Sequence, residues 1–148
     1  MSTYSNVLLA LDLNSNLKDV IQRACEFAQS QSAKLTVLNV VEYLPIDPTA
    51  ELMLSSPAVL EAELVDIAKE RIAAAIAALP DEAQIGLQIR CSVLPGNIRD
   101  LIVQTAKDSA HDLIIVGRQQ RHGLALLLGR TEDAVLHHAH CDVLAITL

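Results

Sequence analysis

The order of apolar segments in this 148-residue chain predicts an α/β fold. The expected form is a doubly wound, mostly parallel sheet with helices on both faces. Three observations carry it. Short apolar runs alternate with stretches whose apolar residues recur at helical spacing. Strand, helix, strand in that sequence closes by a right-handed crossover, which sets the strands parallel. A loop bearing Gly117, Gly123 and Gly129 then separates an apolar run from a helix start. That layout puts backbone N–H groups where an anion can sit.

The elements follow in order. Val7–Leu11 is a short apolar run, as in a strand buried on both faces, and it stops at Asp12. Asn14-Ser15-Asn16 favours a turn and a helix cap. Leu17–Gln31 carries Leu17, Val20, Ile21, Ala24, Phe27 and Ala28 at helical period. Lys34–Val41 is β-branched and apolar, a second strand. Val59–Leu79 is the clearest helix: Leu60, Leu64, Ile67, Ala68, Ile72, Ala75, Ile76 and Leu79 form one stripe, and Pro80 blocks continuation. Gln84–Leu94 alternates, with Ile85, Leu87, Ile89, Cys91 and Val93 on one face, as in a half-buried or edge strand. Pro95-Gly96-Asn97 turns the chain into a short helix marked by Ile98, Leu101, Ile102 and Thr105. Leu113–Val116 is the fourth strand, Thr131–His138 the fourth helix and Val143–Leu148 the fifth strand. Tyr43–Ala58 holds Pro45, Pro48 and Pro57, so no single helix crosses it; it reads either as a functional loop or as a tolerated insertion.

Composition removes several function classes. The length suits one domain, residues 1–148. The chain has no Trp, one Phe and two Tyr, too few aromatics to stack single-stranded nucleic acid. Its net charge of −7 opposes binding to nucleic acid and to anionic membranes. No apolar run reaches the roughly 18 residues of a membrane span. The start, MSTYSNVLLALDL, lacks the basic region of a signal peptide. Cys25, Cys91 and Cys141 form neither a CxxC pair nor a zinc spacing, so reduced thiols and a cytoplasmic setting are expected.

Motifs narrow the chemistry further. There is no GxxxxGK[ST], no GxGxxG after the first strand and no GxSxG. The cluster HHAH suggests metal. His137 and His138, however, point about 100° apart on a helix, and His140 falls past its end, so no metal is expected. Asp12 at a strand end reads as a metal ligand or a general base or, more often, as a group that caps the next helix or bonds to its own loop backbone. Arg118, Arg121 and Arg130 offer phosphate paired donors, or are solvated loop cations. In such sheets ligands bind beyond the carboxyl ends of the strands, where Asp12, Val40-Val41 and Gly117 stand.

These residues match a family. VLLALDL, KLTVLNVVE, SVLPGNIRDLI and the C-terminal DLIIVG…GLALLLG…AVLHHAHCDVLAITL resemble the universal stress protein family in its single-domain form, over nearly the whole chain. The resemblance implies five parallel strands in the order 3-2-1-4-5, dimerisation, a role in stress survival and, in many members, binding of AMP or ATP. Asp12 and the backbone of Val40 match positions at the adenine end, Gly117 matches one near the ribose, and Val116 beside it is a further cofactor-binding candidate. The nucleotide-binding members follow roughly G-x-x-G, about nine residues, then G-[ST]. Gly117 and Gly129 match its first and last glycines. The second glycine falls at Gln120, eight residues separate it from Gly129, and Arg130 precedes Thr131 where a hydroxyl is usual. Gln120, Arg121, Gly129, Arg130 and Thr131 are thus the phosphate-side candidates, two of them departing from the pattern. Two readings stand: an adenine-nucleotide binder, or a nucleotide-free dimeric interaction protein with a degenerate loop. A slow ATPase is the weakest, because no Mg²⁺ carboxylate pair accompanies the loop. The dimer is expected through Val143–Leu148, an apolar end strand without an edge-protecting Lys or Pro.

Overall fold

A computed structural model describes residues 2–42, 57–118 and 131–147. Five parallel strands form one sheet: β1 (Asn6–Ala10), β2 (Lys34–Val41), β3 (Ile89–Pro95), β4 (Leu113–Arg118) and β5 (Asp142–Thr147). Their order is β3-β2-β1-β4-β5, as expected. Helices α1 (Leu17–Gln31) and α2 (Pro57–Ala77) cover one face. Helices α3 (Ile98–Asp108) and α4 (Thr131–His138) cover the other.

The two cores follow from the pleat. Alternate residues of a strand face opposite sides. Val7, Leu9, Leu35, Val37, Leu113 and Ile115 pack under α1 and α2. Leu8, Leu38, Ile114 and Val116 pack under α3 and α4 against Ile102, Ala106 and Val135. Strands β1 and β4 are buried on both faces, which is why their sequences read as unbroken apolar runs.

Three expectations need correction. The third strand begins at Ile89, not Gln84. A 3₁₀ turn at Asp81–Ala83 and a turn through Gly86 at φ +71° consume the first part of the alternating run, leaving Ile85 70% exposed. Cys91 is also exposed, on the edge of the sheet. Ile67 does not belong to the buried stripe of the long helix, being 52% exposed. That face is set by Ala68, Ile72 and the partly buried Val65, Ala75 and Ile76, and Ile67 precedes Ala68 by one 100° step. The long helix also ends at Ala77, before Leu79. Smaller shifts occur at strand ends: β1 stops one residue before Leu11, and β4 runs two beyond Val116. Positions 43–56 of the irregular segment lie outside the described residues.

Candidate functional site

The sheet has a notch above its central strand. β1 ends at Ala10, which pairs with Leu38 on one side and Val116 on the other. β2 continues to Val41 and β4 to Arg118. Leu11 and Asp12 floor the gap, Asn39, Val40 and Val41 wall one side, and Gly117 walls the other. Strand order reverses here, between β1 and β4, so the notch is the switch point at which doubly wound sheets bind ligands.

The backbone polarity of the β2 wall follows from the ladder. Along a parallel strand, successive residues direct their N–H and C=O groups to opposite neighbours. Lys34 N–H donates to Ser5 O at 3.0 Å, and Leu38 O accepts from Leu11 N–H at 2.8 Å. Leu35 N–H donates to Gln88 O at 3.0 Å, and Val41 O accepts from Gly96 N–H at 3.0 Å. Even-numbered residues of β2 therefore serve β1, and odd-numbered ones serve β3. Val40 turns its N–H and C=O toward the notch. The next rung of the ladder would join Val40 N–H to Leu11 O, and the described residues do not make it. Leu11 O instead accepts from Asn39 Nδ2 at 2.9 Å. One donor and one acceptor, on a single residue, thus face the gap.

Asp12 is exposed and partly committed to its own loop. Its Oδ1 accepts from Asn14 N–H at 2.9 Å, and its carbonyl accepts from Ser15 N–H at 3.1 Å and from the Ser15 hydroxyl. That turn leads to Asn16, whose Oδ1 caps α1 by accepting from Asp19 N–H. Arg71 of α2 donates to Leu13 O at 2.9 Å, fixing the loop from above. Across the sheet, the N-terminus of α3 is filled by the chain itself. Glu42 Oε1 accepts from Ile98 N–H at 3.2 Å, and Asn97 Oδ1 accepts from Asp100 N–H at 3.0 Å. Gly96 makes this close turn possible: its φ is +145°, and a Cβ there would stand 2.8 Å from Leu101 Cδ1.

Of the residues singled out in the sequence, Asp12, Val40, Val116 and Gly117 come together at the notch. Gly117 is a strand residue in register with Ile146 rather than a turn. Gln120, Arg121, Gly129 and Arg130 lie outside the described residues, as do the side chains of Arg118 and Thr131; Thr131 begins α4. His137 and His138 end α4 with His140 beyond it, and among the described residues no group of three or more His, Cys, Asp or Glu is arranged to hold a metal ion. The pattern reading missed Asn39. Its signal was present: one amide in the mostly apolar Leu35–Val41, where Thr36 is the only other polar side chain.

A five-stranded parallel sheet wound on both faces, with a notch where its order reverses, places the protein in the doubly wound α/β class. The chain belongs to the universal stress protein family, whose model matches residues 3–147. It is 35% identical to universal stress protein A homolog 2 of Coxiella burnetii, over 100% of this chain and 98% of that one. Among solved structures it is similar to the universal stress protein UspA from Lactobacillus plantarum, with a TM-score of 0.74 and 24% identity over 99% of each chain. A universal stress protein crystallised in complex with cAMP shares the fold at a TM-score of 0.62 and 24% identity, over 99% of this chain and 98% of that one.

Proposed function

We propose that this chain is a cytoplasmic stress-response protein that binds an adenine nucleotide, AMP or ATP, in the notch above β1. The observation that carries the reading is the Val40 backbone edge. Adenine offers a donor, its 6-amino group, beside an acceptor, N1. A strand residue whose C=O and N–H are both unpaired among the described residues complements that edge. Asp12 and Gly117 border the same gap, and a relative of the same fold is bound to cAMP. In this reading Gly117 borders the ribose, and Val116 beside it contributes to the cofactor site. Gly129 and Thr131 lie near phosphate, Gln120 stands beside them, and Arg118, Arg121 or Arg130 supplies charge. No metal enters the scheme.

Calorimetric titration of the purified protein with AMP and ATP tests this, together with chromatography of nucleotide released by heat denaturation. Micromolar to millimolar binding, or co-purified adenine nucleotide, is expected. No binding at millimolar ligand would favour the second reading, an interaction protein whose loop has lost the site through Gln120 and Arg130. In either case we propose a homodimer through the last strand, Val143–Leu148. This end strand carries Leu144 36% exposed and has no Lys or Pro to deter pairing. Leu144→Lys should convert a dimer to a monomer in light scattering at micromolar concentration; a wild-type monomer would remove the proposal.

A further inference from the structure

We propose that Asn39 is a positioning residue for this notch. By occupying the Leu11 carbonyl, its amide stops the β1–β2 ladder one rung early and leaves the Val40 N–H and C=O free for a ligand. The inference rests on the nucleotide reading for the ligand's identity, but not for the state of the backbone.

The geometry supports it in three ways. First, Leu11 N–H is still bonded to Leu38 O at 2.8 Å, so the two strands remain in ladder contact at the position where pairing stops. The missing rung is not explained by strands that have already diverged. Second, the carbonyl that would complete it is held by Asn39 Nδ2 at 2.9 Å. Leu11 O is only an acceptor, so the amide nitrogen must face it. Third, Asn39 is a poor choice for stability alone. It is 5% exposed, and its Oδ1 is buried without a hydrogen-bond partner. A buried polar atom left unmatched is destabilising. Leucine has a similar shape, has no such atom, and suits the run in which Asn39 sits. What the amide contributes is its bond to Leu11.

Amide hydrogen exchange on the ligand-free, full-length protein reads the proposal directly. In wild type, Val40 N–H should exchange at least tenfold faster than Leu38 N–H, which faces β1 lower on the same strand. In Asn39→Leu the ladder should gain its rung, slowing Val40 exchange at least tenfold, with thermal stability unchanged or raised and AMP binding weakened at least tenfold. Asn39→His, with a ring N–H at the same distance along the side chain, should restore fast exchange and binding. A wild-type Val40 as protected as Leu38 overturns the proposal, and that measurement needs no variant to fold. So does an Asn39→Leu protein that keeps wild-type AMP affinity or wild-type Val40 exchange. If the exchange pattern holds while wild type binds no nucleotide, the nucleotide reading fails and the positioning role of Asn39 stands.

Discussion

The two ends of the sheet are built on opposite rules. At the amino ends of the strands, side chains tie β1 to the loop before β4. Asp112 accepts from Ser5 N–H at 2.7 Å, the Ser5 hydroxyl at 2.8 Å and Asn6 N–H at 3.0 Å. Asn6 Nδ2 donates to Ser109 O at 2.9 Å and Ala110 O at 3.3 Å. His111, only 3% exposed, sets Nε2 3.1 Å from Thr36 Oγ1. At the carboxyl ends a side chain instead holds a gap open. One end is stitched for stability. The other keeps backbone groups unpaired, and unpaired polar groups are what a ligand can use. Conformational stability and binding are therefore separable by mutation along a single strand.

The strongest test of that separation is Asp112→Ala. Loss of three bonds to one partly buried carboxylate should lower stability by about 2–4 kcal/mol in urea unfolding, while AMP affinity of the folded protein stays unchanged. The same clamp has a pH signature. Burial alone would raise the Asp112 pKa, but the Ser5 N–H, the Ser5 hydroxyl and the Asn6 N–H outweigh it and hold the carboxyl below its ordinary value. A depressed folded pKa means that the stabilisation is complete above the ordinary carboxylate range and is lost as pH falls through the folded value. Asp112→Asn should flatten that acid limb of the stability curve. Gly96→Ala comes next. The positive φ and the Leu101 contact should together lower stability by about 1–3 kcal/mol, now at the carboxyl end, by disturbing the turn between β3 and α3.

Gly129→Val should give the inverse of Asp112→Ala. AMP binding should fall at least tenfold in calorimetry with little change in melting temperature, whereas Gln120→Gly should leave binding unchanged or improve it by allowing closer backbone approach. A melting temperature that falls with the affinity would break the separation. The smallest effect belongs to His111. Burial lowers its pKa; the Thr105 and Ala106 carbonyls and the Asp112 charge oppose this, and the His140 charge adds to it. The folded value lies below the unfolded value of about 6.5, so between the two the unfolded chain binds more protons and stability rises with pH. Melting temperature should decline as pH drops below about 6.5, and His111→Gln should remove that part of the decline.

The contrast also marks what a sequence can disclose. Strand order and the layering of helices were legible, because apolar runs and helical periods are local signals and the family resemblance supplied the order. Asp12, Val40 and Gly117 were placed at strand ends for the same reason. The clamp was not legible: Asp112 and Ser5 are 107 residues apart, and no local pattern announces such a pair. Nor was the early end of β1. Leu11 is as apolar as the residues before it, and only the ladder shows that its N–H is still paired with Leu38 while its carbonyl is taken by Asn39. Ile85 misled because alternation persists through a turn that a 3₁₀ segment and Gly86 impose. The phosphate-side candidates beyond Arg118 rest on the glycine-bearing loop, its guanidiniums and the resemblance.

The central position of β1 bears on how the chain is made. β1 can pair with β2 once Val41 has emerged, but its other neighbour is β4, with Val7 in register with Leu113. At about 5–20 residues per second, the interval between Val41 and Leu113 is roughly 4–14 s of synthesis. For that time a strand buried on both faces has one edge without its native partner. Stalling translation between β3 and β4 should therefore leave the nascent chain the most prone to aggregate.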